Sequence, residues 1–167
     1  KARHLFGVAL HLALETAAQD VSSRPLAIAS CGNAAIAAAI VAKAVRRPIE
    51  VFVPVWAEKA ALALLQELGA QIQVCEPAAS ERGDPCYSRF REAVSNGSHP
   101  FGVQGTDTAT AFDGGRTLGW ELGDQVPNLE AAFVQIGGGG LGTATAMALP
   151  NISLYPVQAA GCAPLKR

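Results

Sequence analysis

At 167 residues, half of them hydrophobic and only 6% aromatic, with a formal net charge of −1, the chain has the size and composition of a packed α/β protein and not of a disordered tail. Its 13 Lys and Arg are scattered, so no basic stripe exists to displace counterions from a phosphate backbone, and nucleic acid is excluded as a partner. Charge, Gly or Pro interrupts every apolar stretch well before the about 20 residues that a bilayer-crossing helix needs, and Lys1-Ala-Arg-His does not read as a signal peptide, so no membrane segment is expected.

Leu5, Val8, Leu12 and Ala13 recur at helical spacing and predict a helix over residues 2–19. Ser22-Ser23-Arg24-Pro25 breaks it. Residues 26–29 (Leu-Ala-Ile-Ala) read as a short buried strand, Ser30-Cys31-Gly32-Asn33 as a turn, and the Ala-rich stretch to residue 45 as a second helix. Residues 48–53 predict the second strand. A helix from residue 57 follows, with Leu62, Leu65 and Leu68 inward and Gly69 as its C-terminal cap. Residues 71–75 make a third strand and 76–83 a polar loop. Asp84-Pro85 is a helix start, a cap followed by Pro at the first position; Phe90 and Val94 face inward from this helix, and Asn96-Gly97-Ser98 ends it. Further strands are predicted at 101–104, 131–136 and 153–157, with helices at 115–122 and from the glycines 137–140 through Met147.

Strand and helix alternate, and the strands are continuously apolar, the pattern of a three-layer α/β fold whose parallel sheet has helices on both faces. Such sheets bind ligands at the carboxyl ends of their strands. Two loops stand there, Ser30 to Asn33 and Gly137 to Gly140, which the pattern places on one rim of a single sheet. Cys31, Cys75, Cys86 and Cys162 show neither CxxC spacing nor a shared loop; no metal site or disulfide framework is expected, and a reducing cytoplasm suits them. His4, His11 and His99 share no ligand spacing and read as surface or satisfied core residues. Trp56 and Trp120 read as packing residues, and Asp113 and Arg116 as turn or cap residues.

The run Gly137-Gly138-Gly139-Gly140-Leu141 follows an apolar strand and opens a helix. Bare backbone there can turn several N–H groups on one anion, and the helix adds about half a positive charge at its N-terminus. A phosphate suits such a nest. The plainer reading, a tight turn needing flexible dihedrals, would be served by one or two glycines. Gly137, Gly139 and Gly142 also satisfy G-x-G-x-x-G, but no Asp or Glu follows Glu130 to hold a ribose, which removes the second half of a dinucleotide fingerprint. Ser30 to Asn33 could hold a carboxylate through backbone N–H groups, although Ser and Asn are also common helix caps. Lys1 acquires meaning in this company: an amine beside a phosphate nest and a carboxylate cradle suits Schiff-base chemistry with an aldehyde cofactor.

Lys1-Ala-Arg3, Ser30-Cys31-Gly32-Asn33-Ala34-Ala35 and the Gly137 to Gly140 run, in that order, resemble the landmarks of the fold-type II pyridoxal-phosphate-dependent enzymes, the tryptophan synthase β-like group that includes threonine synthase and the serine/threonine dehydratases. Val53-Pro54, Leu68-Gly69-Ala70 and the stretch 154–164 extend the likeness over essentially the whole chain. The resemblance implies pyridoxal 5'-phosphate as cofactor, with Lys1 forming the internal aldimine and acting as catalytic base. It implies that Gly137, Gly138, Gly139, Gly140 and Leu141 bind the cofactor phosphate and that Asn33 meets the ring hydroxyl. Ser30, Cys31, Gly32, Asn33 and Ala34 would grip the substrate carboxylate, together with Gln104, for which a plain strand-end polar role is the alternative.

The substrate expected is a small amino acid undergoing elimination or replacement, in a cytoplasmic lyase with a homodimer as its possible assembly. Residues 1–104 would form the smaller N-terminal domain and 105–167 the start of the cofactor-binding one, both incomplete. A Ser-x pair before the lysine and the group meeting the pyridine nitrogen are not within these residues, which suggests a segment truncated at both ends. Ala34 stands where dehydratases carry His, favouring threonine synthase, whereas a glycine run followed by Leu is dehydratase-like. Two other readings stand beside this one: a non-catalytic phosphate- or nucleotide-binding module, and a degenerate fragment of such an enzyme.

Overall fold

Pro25-Leu-Ala-Ile-Ala and Pro48-Ile-Glu-Val-Phe-Val are runs of small and β-branched residues, and they lie side by side at the centre of a parallel sheet. The computed structural model describes residues 1–18, 24–77, 82–161, 163 and 165, with the side chains of 16–18 left out. Cys162, the Ser22-Ser23 break, part of the 76–83 loop and Pro164 therefore lie outside the described residues. The strands are β1 (Leu26–Ala29), β2 (Ile49–Pro54), β3 (Gln71–Cys75), β4 (His99–Pro100), β5 (Ala131–Gln135) and β6 (Ser153–Val157). The helices are α1 (Ala2–Ala18), α2 (Asn33–Ala44), α3 (Lys59–Glu67), α4 (Pro85–Ser95), α5 (Ala111–Gln125) and α6 (Gly140–Ala148).

All pairings among these strands are parallel, but they form two sheets and not the single one expected: four strands in the order β3-β2-β1-β4, and β5 beside β6. The break follows from β4. The strand expected at 101–104 is instead the two residues His99–Pro100, paired with Leu26 and Ala27. Pro100 has no N–H to donate, and after Phe101 (whose N–H still reaches the Ala27 carbonyl at 2.8 Å) the chain leaves the sheet. A turn replaces the rest of the ladder: the Gln104 carbonyl accepts from the N–H groups of Asp107 and Thr108, and the hydroxyl of buried Thr108 accepts from Gly102 N–H at 3.4 Å.

The four-stranded sheet is covered on both faces, as a doubly buried parallel sheet must be. Side chains alternate along each strand. Leu26, Ile28, Ile49, Val51 and Val53 join Leu5 and Val8 of α1, the alanines of α2 and Leu65 of α3 in one core. Ala27, Phe52 and Cys75 point the other way, onto Cys86 and Phe90 of α4. Helix α4 starts as its sequence requires, with Asp84 Oδ1 accepting from Cys86 N–H at 2.9 Å and Pro85 in the first turn. On α1, Leu5, Val8 and Ala9 are buried, whereas Ala13, counted with Leu5, Val8 and Leu12 in the helical spacing, is exposed. Trp56 and Trp120 are also exposed, at 74% and 48%, and so are not core residues. Trp120 instead lies under the Arg116 guanidinium, 5.2 Å from the ring centroid. The β5–β6 sheet is not covered in the same way: Phe133 is 77% exposed and stacks on Tyr155 with ring centroids 5.2 Å apart.

Helix α5 extends four residues earlier than its sequence predicts, to Ala111, which puts Gly114 inside it together with Gly115. They are there for packing. A Cβ on Gly114 would collide with the Arg3 carbonyl, and one on Gly7 would lie 2.7 Å from Gly114 N, so α1 and α5 touch backbone to backbone. On the α6 side, a Cβ on Gly119 would sit 2.5 Å from the Ala148 methyl. Arg3 reinforces the α1–α5 contact with a bidentate pair to Glu121 (2.6 and 2.8 Å), as does His11 with Asp113 at 2.9 Å. These pairs are exposed, so solvent screening leaves them a minor share of the stability.

Gly114→Ala removes this backbone contact. Overpacking costs about 1–3 kcal/mol, more than the about 1 kcal/mol that Ala gains over Gly in a helix. The thermal midpoint is expected to fall by roughly 2–6 °C. Gly161→Ala, where a Cβ meets open space, should leave it unchanged in the same calorimetric scan.

Candidate functional site

Strands β1, β2 and β3 follow one another outward, and β4 then returns to the other side of β1. Loops leaving β1 and β4 diverge at this reversal, opening a crevice at their carboxyl ends. A cavity of about 340 Å³ occupies it, lined by Ile28, Ala29 and Ser30 at the end of β1, Gly102, Val103 and Gln104 after β4, Ala34 of α2, Asp84, Tyr87 and Phe90 around α4, and Asp107. A smaller cavity of about 130 Å³ adjoins it through Val103 and Gln104, which line both. Its other walls are Lys1 and His4 of α1, Gln135 at the end of β5, and Gly137, Gly138, Gly139, Gly140 and Leu141.

Lys1 and the glycine run, 136 residues apart, thus line one cavity, and Ser30, Ala34 and Gln104 line its neighbour. Gln104 lies in the turn after β4 instead of ending a strand, and the loop holds its side chain against the glycines: a Cβ on Gly138 would sit 3.2 Å from Gln104 Nε2. Cys31, Gly32 and Asn33 line neither cavity. Asn33 is exposed at the first position of α2, and Gly32, in the cap position with φ −123° and ψ −150°, leaves the helix without a side-chain cap. Neither Ser30 nor Asn33 therefore caps α2. The N–H groups of Asn33, Ala34 and Ala35 precede the helix's first bond, from Ile36 N–H to the Gly32 carbonyl, and form a donor rim beside the larger cavity.

Sterics explain part of the glycine run. Gly139 has φ +87°, a conformation that side-chain-bearing residues rarely adopt, and a Cβ on Gly140 would collide with the Val103 carbonyl. Gly137 faces open space. The plain turn reading thus accounts for more of these glycines than their sequence suggests, and the case for an anion rests on what surrounds them. Among the described residues, the N–H groups from Gly137 to Leu141 have no backbone acceptor, and α6 starts at Gly140. Lys1 adds a cation, and no carboxylate lines the smaller cavity. Such a pocket is complementary to an anion. The larger cavity differs, with Asp84 and Asp107 in its wall and the Tyr87 hydroxyl donating to Asp107 Oδ1 at 2.9 Å.

His4, like His99, whose Nε2 is also buried without a partner among the described residues, is misjudged by sequence reasoning. His4 is 6% exposed, and its buried Nδ1 has no hydrogen-bond partner among the described residues, so it is neither on the surface nor fully satisfied. Burial holds its pKa below the ordinary imidazole value, helped by the positive charge of Lys1 and opposed by a backbone hydrogen bond at Gly140. Its spacing from Lys1, three residues, was the available signal. Tyr87 and Asp107 carried none, since only α4 and the turn after β4 bring them together.

Cys75 and Cys86, without signal in their spacing, meet between β3 and α4. Desolvation, then the neighbouring Cys75, push the Cys86 thiol from 9.0 to about 12.

Comparison with known proteins identifies this arrangement. A family model described as "Pyridoxal-phosphate dependent enzyme" matches residues 1–167. Threonine deaminase isoform 2 from Solanum lycopersicum superposes with a TM-score of 0.77 at 20% identity, over 95% of this chain and 46% of that one. Serine racemase from Dictyostelium discoideum gives 0.73 at 24%, over 86% and 46%. O-ureido-L-serine synthase gives 0.76 at 16%, over 99% and 53%. At these identities the likeness establishes the fold, and the chain spans about half the length of these structures. Among curated proteins there is no significant match.

A raised thiol pKa is a stability statement. Cys86 stays protonated in the fold, so its contribution is complete below the unfolded thiol's pKa, about 8.5, and is lost as pH rises toward about 12. Urea midpoints should fall between about pH 8 and pH 10.5. In the folded chain iodoacetamide should label half-buried Cys31 before Cys86, as peptide mass mapping would show.

Proposed function

The chain belongs to the family of pyridoxal-phosphate-dependent enzymes, and from this premise we propose that it carries the catalytic lysine and phosphate loop of a fold-type II lyase acting on a small amino acid. The observation that carries this reading is the shared 130 Å³ cavity of Lys1 and Gly137–Leu141, adjoining a larger crevice at the β1/β4 reversal. The residues fit the cofactor: the glycine loop has free N–H donors, a helix start and no carboxylate beside it, and Lys1 supplies an amine at its edge.

Lys1 would hold pyridoxal phosphate through its ε-amine, Gly137 to Gly140 with Leu141 would hold the phosphate, and Asn33 the ring hydroxyl. When bound, the cofactor supplies a conjugated ring that stores negative charge developed at the substrate α-carbon. The remaining chemistry belongs to this chain. With its ε-amine free, Lys1 would serve as the base that takes the substrate α-proton. The rim Ser30 to Ala34, with unpaired N–H groups at the start of α2, would orient the substrate carboxylate, helped by Gln104. The names threonine deaminase and serine racemase among the structural neighbours support a small hydroxy amino acid as substrate and the dehydratase-like reaction, with a threonine synthase-like one as the alternative. The two sheets support a division into a smaller domain, residues 1–104, and the start of a cofactor-binding one, 105–167. The same reading includes a cytoplasmic homodimer.

With excess pyridoxal phosphate, the protein is expected to show an absorbance band in the near-ultraviolet or visible that survives dialysis, and Lys1→Ala is expected to lose it. Equal retention of the cofactor by Lys1→Ala would refute the assignment. In thermal-shift measurements pyridoxal phosphate should stabilise the protein; stabilisation by NAD or ATP alone would point to a nucleotide-binding module.

A further inference from the structure

His4 lies in the first turn of α1, three residues after Lys1, which immediately precedes the helix, and both line the cavity of the glycine loop. Its ring is nine-tenths buried, in space that Gly115 leaves free: a Cβ there would lie 2.5 Å from His4 Nε2. Leaving Nδ1 buried without a partner is costly, and a ring used only for packing would be better served by an apolar residue. Everything else charged or free in this cavity invites an anion: the Lys1 ammonium, the open N–H groups of the loop and the start of α6. An anion seated there would supply the acceptor that Nδ1 lacks.

We propose that His4 is a phosphate-binding residue, donating from its ring nitrogen to the anion held by the Gly137–Leu141 loop. The inference rests on the cofactor reading for the identity of that anion, a phosphate monoester, and adds a side-chain donor to a loop that otherwise offers only backbone. In this cavity the donor confers selectivity for the phosphorylated over the unphosphorylated cofactor, because pyridoxal presents nothing for Nδ1–H to meet.

The test compares binding of pyridoxal phosphate and pyridoxal to the full chain by equilibrium dialysis, for the native sequence, His4→Phe and His4→Asn. Hydrogen bonds to charged groups are worth roughly 10- to 100-fold in affinity. His4→Phe should weaken pyridoxal phosphate by about that factor and leave pyridoxal unchanged, and His4→Asn, which keeps an N–H donor, should restore part of the loss. A second readout needs no substitution: inorganic phosphate should move the 15N resonances of His4 and leave those of His11 in place. If the native chain prefers pyridoxal phosphate and His4→Phe keeps that preference, or if phosphate leaves the His4 resonances unmoved, the inference is overturned while the cofactor reading stands. A native chain that binds the two compounds equally overturns both.

Discussion

Helix α5 meets both of its helical neighbours through glycine. Gly114 lets the backbone of α1 approach as far as the Arg3 carbonyl, and Gly115 and Gly119 admit the His4 ring and the end of α6. Lys1 and His4 sit at the start of α1, and the glycine loop sits at the start of α6, so their separation is set by how closely α5 is packed between these helices. A single methyl at Gly114 pushes against backbone, which cannot rotate away as a side chain can. The geometry of the smaller cavity therefore depends on three positions, Gly114, Gly115 and Gly119, that carry no side chain and do no chemistry.

The two adjoining cavities divide the electrostatic work. The smaller has a cation, a helix start and free N–H groups with no carboxylate, and so favours an anion. The larger has two carboxylates and a tyrosine hydroxyl across from the donor rim of α2, and so offers recognition groups of both signs. Gln104 stands in the wall between them and is positioned by the turn that ends β4.

The four-stranded sheet is closed on both faces, while the β5–β6 pair keeps an open face with Phe133 and Tyr155 stacked upon it. The chain covers 46% of the threonine deaminase and 53% of the O-ureido-L-serine synthase that share its fold. The starts of α1, α2 and α6 and the ends of β1 and β4, which contribute walls to the two cavities, fall inside the segment.

Local order was legible from residues alone. The alternation of apolar runs with helical periods located β1, β3 and β6 to the residue, and Asp84-Pro85 marked the start of α4, because caps, proline and burial act over a few neighbours. The lysine, the glycine loop and the Ser30–Ala34 turn could be named as a set. What sequence could not decide was anything that depended on distant partners. Gly114 read as part of the loop before a helix starting at Gly115, because its reason for being small is the backbone of α1, about 110 residues away. The strand at 101–104 was lost to a turn closed by Thr108, and one sheet became two. His4 looked idle in the chain and proved to be buried, unpaired and beside the glycines, since burial and the lack of a partner exist only after α1, α5 and α6 have packed.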